Sequence, residues 1–336
     1  MAILRSGLPP RQSHGPTGAF AILPADSPHP DTRLPTRSTR TISWLPYLLL
    51  TLTALFWAGN FVLGRGVRSL IPPVSLNFWR WFGAFLILLP FGLPRIRRQR
   101  ELLGRHWKLL LFMSIPSVAC FNAFIYTALQ SATAMNTVLV NAMTPAFIAL
   151  LAWIALGEPM TPRQLVGVLV SFTGLVFIIT RGVPSVLLAL RFSRGDLWTL
   201  GAALAWAVYS VALRKRPEGL DPIAFLTVIV GCGLAVLLPF YLLEWYREGG
   251  FELAPASFGS ILYVALFPSV LAYIFWNQGV RAVGPNRAGI FIHLMPVFSI
   301  VLAFLFLGER LYTFHWIGMA LIFSGIGLTT IPARAG

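Results

Sequence analysis

Ten apolar stretches, separated by short polar or basic loops, fill the chain from residue 44 onward: 44–64, 73–93, 108–130, 134–156, 163–181, 196–213, 223–243, 257–279, 286–307 and 314–332. A hydrocarbon core about 30 Å thick takes roughly 20 helical residues, so each stretch predicts one membrane span. Polar side chains inside the stretches are few, which makes their positions informative.

The second half of the pattern paraphrases the first. Pro145, Phe147, Leu156-Gly157-Glu158, Gly167 and Gly174 recur 151 positions later as Pro296, Phe298, Leu307-Gly308-Glu309, Gly318 and Gly325. Ala54-Leu55-Phe56-Trp57-Ala58 recurs as Ala203-Leu204-Ala205-Trp206-Ala207, and Leu88-Leu89-Pro90-Phe91 as Leu237-Leu238-Pro239-Phe240, both 149 positions on. Pro116-Ser117-Val118 returns as Pro268-Ser269-Val270. Proline and glycine cost about 3 and 1 kcal/mol inside a helix, so a matched set at one spacing marks a true duplication. The expected organisation is a tail at 1–43, a five-helix repeat at 44–181, an outer connection at 182–195 and a second repeat at 196–332. Each repeat has an odd number of spans, so the second enters the membrane from the opposite face. Inverted halves of this kind are the architecture of alternating access.

Composition agrees with a polytopic, all-α membrane protein: 336 residues, 57% hydrophobic, 11% charged, mean hydropathy +0.75. The net charge of +15 sits in the tail and loops rather than on a nucleic-acid-binding face. With the N-terminus inside, eighteen Lys and Arg flank the cytoplasmic side and seven the outer side, with Arg80 inside a span; both termini are therefore expected in the cytoplasm of a bacterial inner-membrane protein. The tail holds seven prolines and five arginines and lacks an apolar core of signal length, so it reads as disordered, with arginines suited to anionic lipid. Cys120 and Cys232 both lie in spans and form neither a disulfide framework nor a metal-ligand pattern.

Trp57-Ala58-Gly59-Asn60-Phe61 in the first span, Arg80 in the second, and a proline in the fourth followed by Leu156-Gly157-Glu158, all within a doubled pattern, resemble the EamA-type carriers of the drug/metabolite transporter superfamily. The resemblance covers about residues 44–332 and within the family is greatest to the YddG-type bacterial exporters of aromatic amino acids. It implies ten helices in two inverted five-helix repeats and export of amino acids or related metabolites. The second copy departs from the pattern, with Tyr209 in place of Asn60 and Ile229 in place of Arg80, so any polar site is asymmetric.

Four prolines occupy paired positions within spans, Pro116 with Pro268 and Pro145 with Pro296. Each frees a carbonyl four residues earlier, at Phe112, Val264, Asn141 and Ile292, which at membrane depth needs another partner. They are either kinks with ordinary packing or the gating elements of a moving core. Asn60, Asn122, Asn136, Asn141, Asn277, Gln278 and His293 all lie in or near spans; each either glues helices together or faces a wet cavity. Asn141 and His293 stand out because they precede the mid-span prolines. Arg80 either snorkels to the outer interface or partners a substrate carboxylate, as a gate held by Asn60. Trp57, Phe121, Phe124, Tyr126, Trp206, Tyr209, Tyr273 and Trp276 could line a cavity suited to a flat apolar side chain. The candidate central cavity is thus Trp57, Asn60, Arg80, Asn122, Tyr126, Asn141, Trp206, Tyr209, Tyr273, Trp276 and His293.

All eleven carboxylates lie in the tail, loops or span ends. An organic-cation/proton antiporter normally trades its cargo through a buried acid, and an intramembrane hydrolase needs paired acids, a nucleophile system or metal ligands. No phosphate-binding glycine loop is present. The expectation is a carrier without cofactor or metal, monomeric as a transport unit, touching only membrane lipid and a small solute. Its solute is a neutral, preferably aromatic, amino acid, with a broader metabolite or drug carrier and a non-transporting membrane scaffold or lipid-binding protein as the alternatives. Facilitated diffusion, proton coupling through His293 and sodium coupling through freed carbonyls all remain open.

Overall fold

The computed structural model describes residues 44–67, 70–132, 134–188, 193–252, 254–307 and 310–330. The tail at 1–43, Arg68, Arg191, Gly308-Glu309 and the residues after Thr330 lie outside the described residues, as does the Asn136 side chain. Among the described residues ten membrane helices make up the fold: α1 (Leu45–Val67), α2 (Pro73–Arg98), α3 (Trp107–Ser131), α4 (Ala134–Asn141 and Thr144–Leu156) and α5 (Pro162–Ile179) form the first five. The second five are α6 (Arg194–Lys215), α7 (Pro222–Glu248), α8 (Pro255–Val283), α9 (Pro285–Gly289, Ile290–His293 and Leu294–Leu307) and α10 (Thr313–Thr330). Large apolar side chains such as Trp153, Ile154, Leu169, Phe240 and Leu305 clothe the outside, where lipid is the solvent.

Local chemistry sets the helix ends. Pro162 opens α5 behind a capping box in which Thr161 and Gln164 satisfy each other's backbone amides, and Asp221 caps α7 through the amides of Ile223 and Ala224. Gly157 and Gly249 take left-handed conformations that close α4 and α7. The paired prolines Pro116 and Pro268 sit in π-turns, Ile115–Cys120 in α3 and Ala265–Leu271 in α8. Pro145 follows a break between the two parts of α4, and Pro296 follows a 3₁₀ turn in α9.

The two repeats interlock instead of standing side by side. α1 packs on α8 and α9 of the other repeat, and α6 packs on α3 and α4, while α2 pairs with α7 and α5 with α10. That exchange is the contact pattern of inverted repeats about a two-fold axis lying along the membrane plane. The α5–α10 seam is built on glycine. A Cβ at Gly174 would come within 2.6 Å of the Gly318 carbonyl oxygen, and one at Gly167 within 2.6 Å of that of Gly325. Since Gly167 and Gly174 are the counterparts of Gly318 and Gly325, each contact is the other's image.

The α2–α7 pair is pinned at both ends. Glu244 near the end of α7 accepts from the amides of Val74 and Ser75 at 2.9 and 2.5 Å and from the Ser75 hydroxyl at 2.7 Å. At the other end Gln99 bridges to the Asp221 amide and the Gly219 carbonyl, and Arg95 lies 3.5 Å from the Asp221 carboxylate.

Candidate functional site

All eleven side chains of the candidate cavity are buried, and they fall into three groups. The first surrounds Arg80. Its guanidinium turns into the bundle and is 1% exposed, so it does not snorkel to the interface. Nε donates to Ser269 Oγ at 2.7 Å and one terminal nitrogen to Pro268 O at 3.2 Å. The other terminal nitrogen reaches Asn122 Oδ1 at 2.8 Å, the Tyr126 hydroxyl at 3.0 Å and Asn60 Oδ1 at 3.4 Å, while Tyr126 itself donates to Asn60 Oδ1 at 3.0 Å. The group therefore joins α1, α2, α3 and α8.

The π-turns make this arrangement possible. Ser269 Oγ donates at 2.6 Å to the carbonyl of Val264, the one that Pro268 was expected to free. Pro268 O is shared by Arg80 and Trp57 Nε1, and Ser117 O in the other π-turn takes the Tyr273 hydroxyl at 2.7 Å. Asn77 Nδ2 lies 3.2 Å from Val118 O in the same turn. Likewise the Asn141 carbonyl receives Thr144 Oγ1 at 2.5 Å. Sequence reasoning missed Asn77 altogether and gave Ser269 no role, although the repeated Pro-Ser pair was a signal for the latter.

Every acceptor around Arg80 is neutral. Among the described residues no carboxylate lies within ion-pair distance of it. A buried cation without a counter-ion costs several kcal/mol, which its hydrogen bonds and the Trp81 ring 5.2 Å from its centre partly offset. An anionic group would bring the missing partner.

The second group is an aromatic box beside the first. Trp57 meets Trp206, its counterpart 149 positions on, edge to face at 4.9 Å and 89°. Trp276 lies 5.3 Å from Trp57 and 5.5 Å from Trp206, and Tyr273 stands 5.3 Å from Trp206 and 4.8 Å from Trp81. Tyr209 packs 5.3 Å from Trp206 and donates to Asn277 Oδ1 at 2.7 Å. Trp276 Nε1 reaches Ser210 Oγ at 3.3 Å, whereas among the described residues the buried Nε1 atoms of Trp81 and Trp206 have no acceptor. The box thus offers ring faces together with two unused donors.

The third group holds Asn141 and His293. They line a cavity of about 180 Å³ between α4, α5 and α9, together with apolar residues such as Leu175, Ile292 and Met295 and the polar Ser299. His293 Nε2 must donate to Ala142 O, 3.0 Å away, because a carbonyl only accepts. In the neutral ring Nδ1 then accepts from the Ser171 hydroxyl at 2.7 Å. Pro296 lines this cavity, and Pro145, four residues after Asn141, is buried. Asn60, Tyr209 and Trp276 belong to the first two groups, so the cavity of Asn141 and His293 is separate from them in this conformation.

Two halves related by an in-plane axis, with polar and aromatic groups gathered where they meet, are what a carrier requires. The sequence matches the EamA-like transporter family over residues 44–180 and again over 193–331. The chain belongs to that family. It is 26% identical over 290 residues to the uncharacterized transporter YyaM of Bacillus subtilis, covering 85% of this chain and 95% of that protein. It is 28% identical over 287 residues to an uncharacterized transporter of Archaeoglobus fulgidus, covering 84% and 96%. A probable terminal-alkyne amino-acid exporter of Streptantibioticus cattleyicolor is 27% identical over 284 residues, covering 83% and 91%. A solved crystal structure superposes with a TM-score of 0.70 at 21% identity over 85% of this chain and 96% of that one, which shows the shared fold. The chain is thus a multi-pass membrane transporter of the drug/metabolite transporter superfamily, built on a duplicated unit.

Proposed function

We propose that this EamA-like transporter exports neutral amino acids, aromatic ones foremost, across the bacterial inner membrane by alternating access. One chain forms the transport unit, both termini lie in the cytoplasm, and residues 44–181 and 196–332 act as the two exchanging halves. The observation that carries the proposal is Arg80, buried with neutral partners only and set against an aromatic box with two unused indole donors. A substrate carboxylate supplies the absent counter-ion, and its ring stacks among Trp57, Trp206, Tyr273 and Trp276. The amino-acid exporter among the relatives supports the same substrate class. Asn141 and His293 lie on the contact between halves, and Pro116, Pro145, Pro268 and Pro296 are the points where the helices flex.

The described conformation has the box closed on itself, so substrate entry parts Trp57 from Trp206. Release of labelled phenylalanine, tryptophan and alanine from sealed proteoliposomes tests the proposal: saturable flux that favours the aromatic pair is expected, and absence of amino-acid flux refutes it.

A further inference from the structure

Arginines at the loop ends of membrane helices ordinarily reach out to water or headgroups. Arg214 does so in part, pairing with Glu158 at 2.9 Å with both side chains more than a third exposed. Arg216, two residues on, folds inward. It follows the 3₁₀ turn Leu213–Lys215 that ends α6, is only 5% exposed, and lies over the Phe225 ring at 5.1 Å. One terminal nitrogen donates to Leu220 O at 2.6 Å, and Nε is buried with no acceptor among the described residues.

Among the described residues its charged surroundings offer no acid free to pair with it. Arg281, near the end of α8, adds a like charge. Asp221, the acid in electrostatic reach, already lies beside Arg95 at 3.5 Å and caps α7. Tyr209 is also in electrostatic reach; its hydroxyl donates to Asn277 Oδ1 and its ring belongs to the aromatic box. Burial, and after it the charge of Arg281, lower the Arg216 pKa to about 10, so the guanidinium stays cationic at neutral pH. α6 begins at the face where α2 begins and ends at the opposite one. Arg80, eight residues into α2, therefore lies towards the face opposite Arg216.

We propose that Arg216, aided by Arg281, is a second carboxylate-binding station, on the other side of the aromatic box from Arg80. This rests on the proposed transport of carboxylate-bearing aromatic solutes and adds to it a point of capture at the cytoplasmic end. A solute leaving the cell first gives its carboxylate to Arg216 and passes its ring along Tyr209 and Asn277 into the box. A fork of N–H donors already buried recognises carboxylate geometry, which explains an arginine where solvation favours an outward cation.

Calorimetric titration of phenylacetate into the purified full-length protein tests the station, with phenethylamine, the same ring on a cation, as control. In an Arg80→Gln background phenylacetate binding should persist, and adding Arg216→Gln should weaken it about tenfold or more, the loss expected for a charge-assisted pair. Arg216→Lys keeps the charge without the fork and should bind at an intermediate level while preserving the fold. Equal affinities with and without Arg216, equal binding of phenethylamine, or no phenylacetate binding by the wild type each overturn the station. Arg216-dependent binding without any aromatic amino-acid flux would instead leave the station standing and refute the transport proposal.

Discussion

His293 Nε2 donates to the carbonyl of Ala142, the residue that stands in its own place in the first repeat, 151 positions earlier. A residue that touches its symmetry mate lies on the symmetry axis. Trp57 and Trp206 touch in the same way, and the Gly167–Gly325 and Gly174–Gly318 contacts exchange across the same line. The axis therefore runs from the aromatic box past His293 to the α5–α10 seam.

This geometry makes His293 a tie between α9, α4 and α5 through Ala142 and Ser171. His293→Leu strands two buried partners and should destabilise the protein by about 2 kcal/mol, read as a lowered thermal midpoint. His293→Gln keeps a donor and should retain flux. Because both ring nitrogens are engaged, flux should respond to an imposed pH gradient equally in wild type and His293→Gln; a response confined to the wild type would make His293 a proton carrier.

The glycine seam predicts a sharp contrast between two substitutions. Gly174→Ala drives a methyl against the Gly318 carbonyl and should cost about 1–3 kcal/mol in thermal unfolding. Gly104→Ala meets nothing within 4 Å, lies in the helical turn Arg100–Arg105, and should leave stability unchanged or raise it by up to about 1 kcal/mol.

Glu244 replaces the missing side-chain cap of α2 from a neighbouring helix. Glu244→Ala should therefore free the first amides of α2. Hydrogen exchange at Val74 and Ser75 should accelerate about tenfold, the equivalent of a lost cap, while amides in the middle of α7 stay protected.

Carboxylate capture at Arg216 should have a defined pH profile. The groups that bear on it are Tyr209 of α6, Asp221 at the start of α7 and Arg281 of α8. Since its pKa is lowered to about 10, phenylacetate affinity should be level across roughly pH 6 to 8 and fall as pH rises through 10. The sign for stability is opposite. The folded pKa lies below the ordinary arginine value, so keeping the proton costs folding energy below pH 10 and that cost fades as pH rises above it.

The number of spans and the duplication were legible because both rest on patterns along the chain: apolar length and the recurrence of proline and glycine. The π-turns at Pro116 and Pro268 were legible as disturbances but not as π-turns, because the way a helix absorbs a missing donor depends on its neighbours. The Arg80 group was legible in part. Asn60 stood out by polarity at depth, whereas Asn77 joins through the Val118 carbonyl of another helix and the Ser269 hydroxyl is oriented by the Val264 carbonyl, and a carbonyl carries no mark in the sequence. The same reason hid the partner of His293, since Ala142 offers only its main chain.

Counterflow of labelled phenylalanine in proteoliposomes, challenged with excess unlabelled phenylalanine or phenethylamine and repeated with Arg80→Gln, tests the central claim most directly. The account predicts saturable exchange that unlabelled phenylalanine competes away, that phenethylamine leaves almost untouched, and that falls at least about tenfold in Arg80→Gln, as loss of a buried charge-assisted pair requires. Exchange blocked equally by phenethylamine, or undiminished without the Arg80 guanidinium, would contradict it.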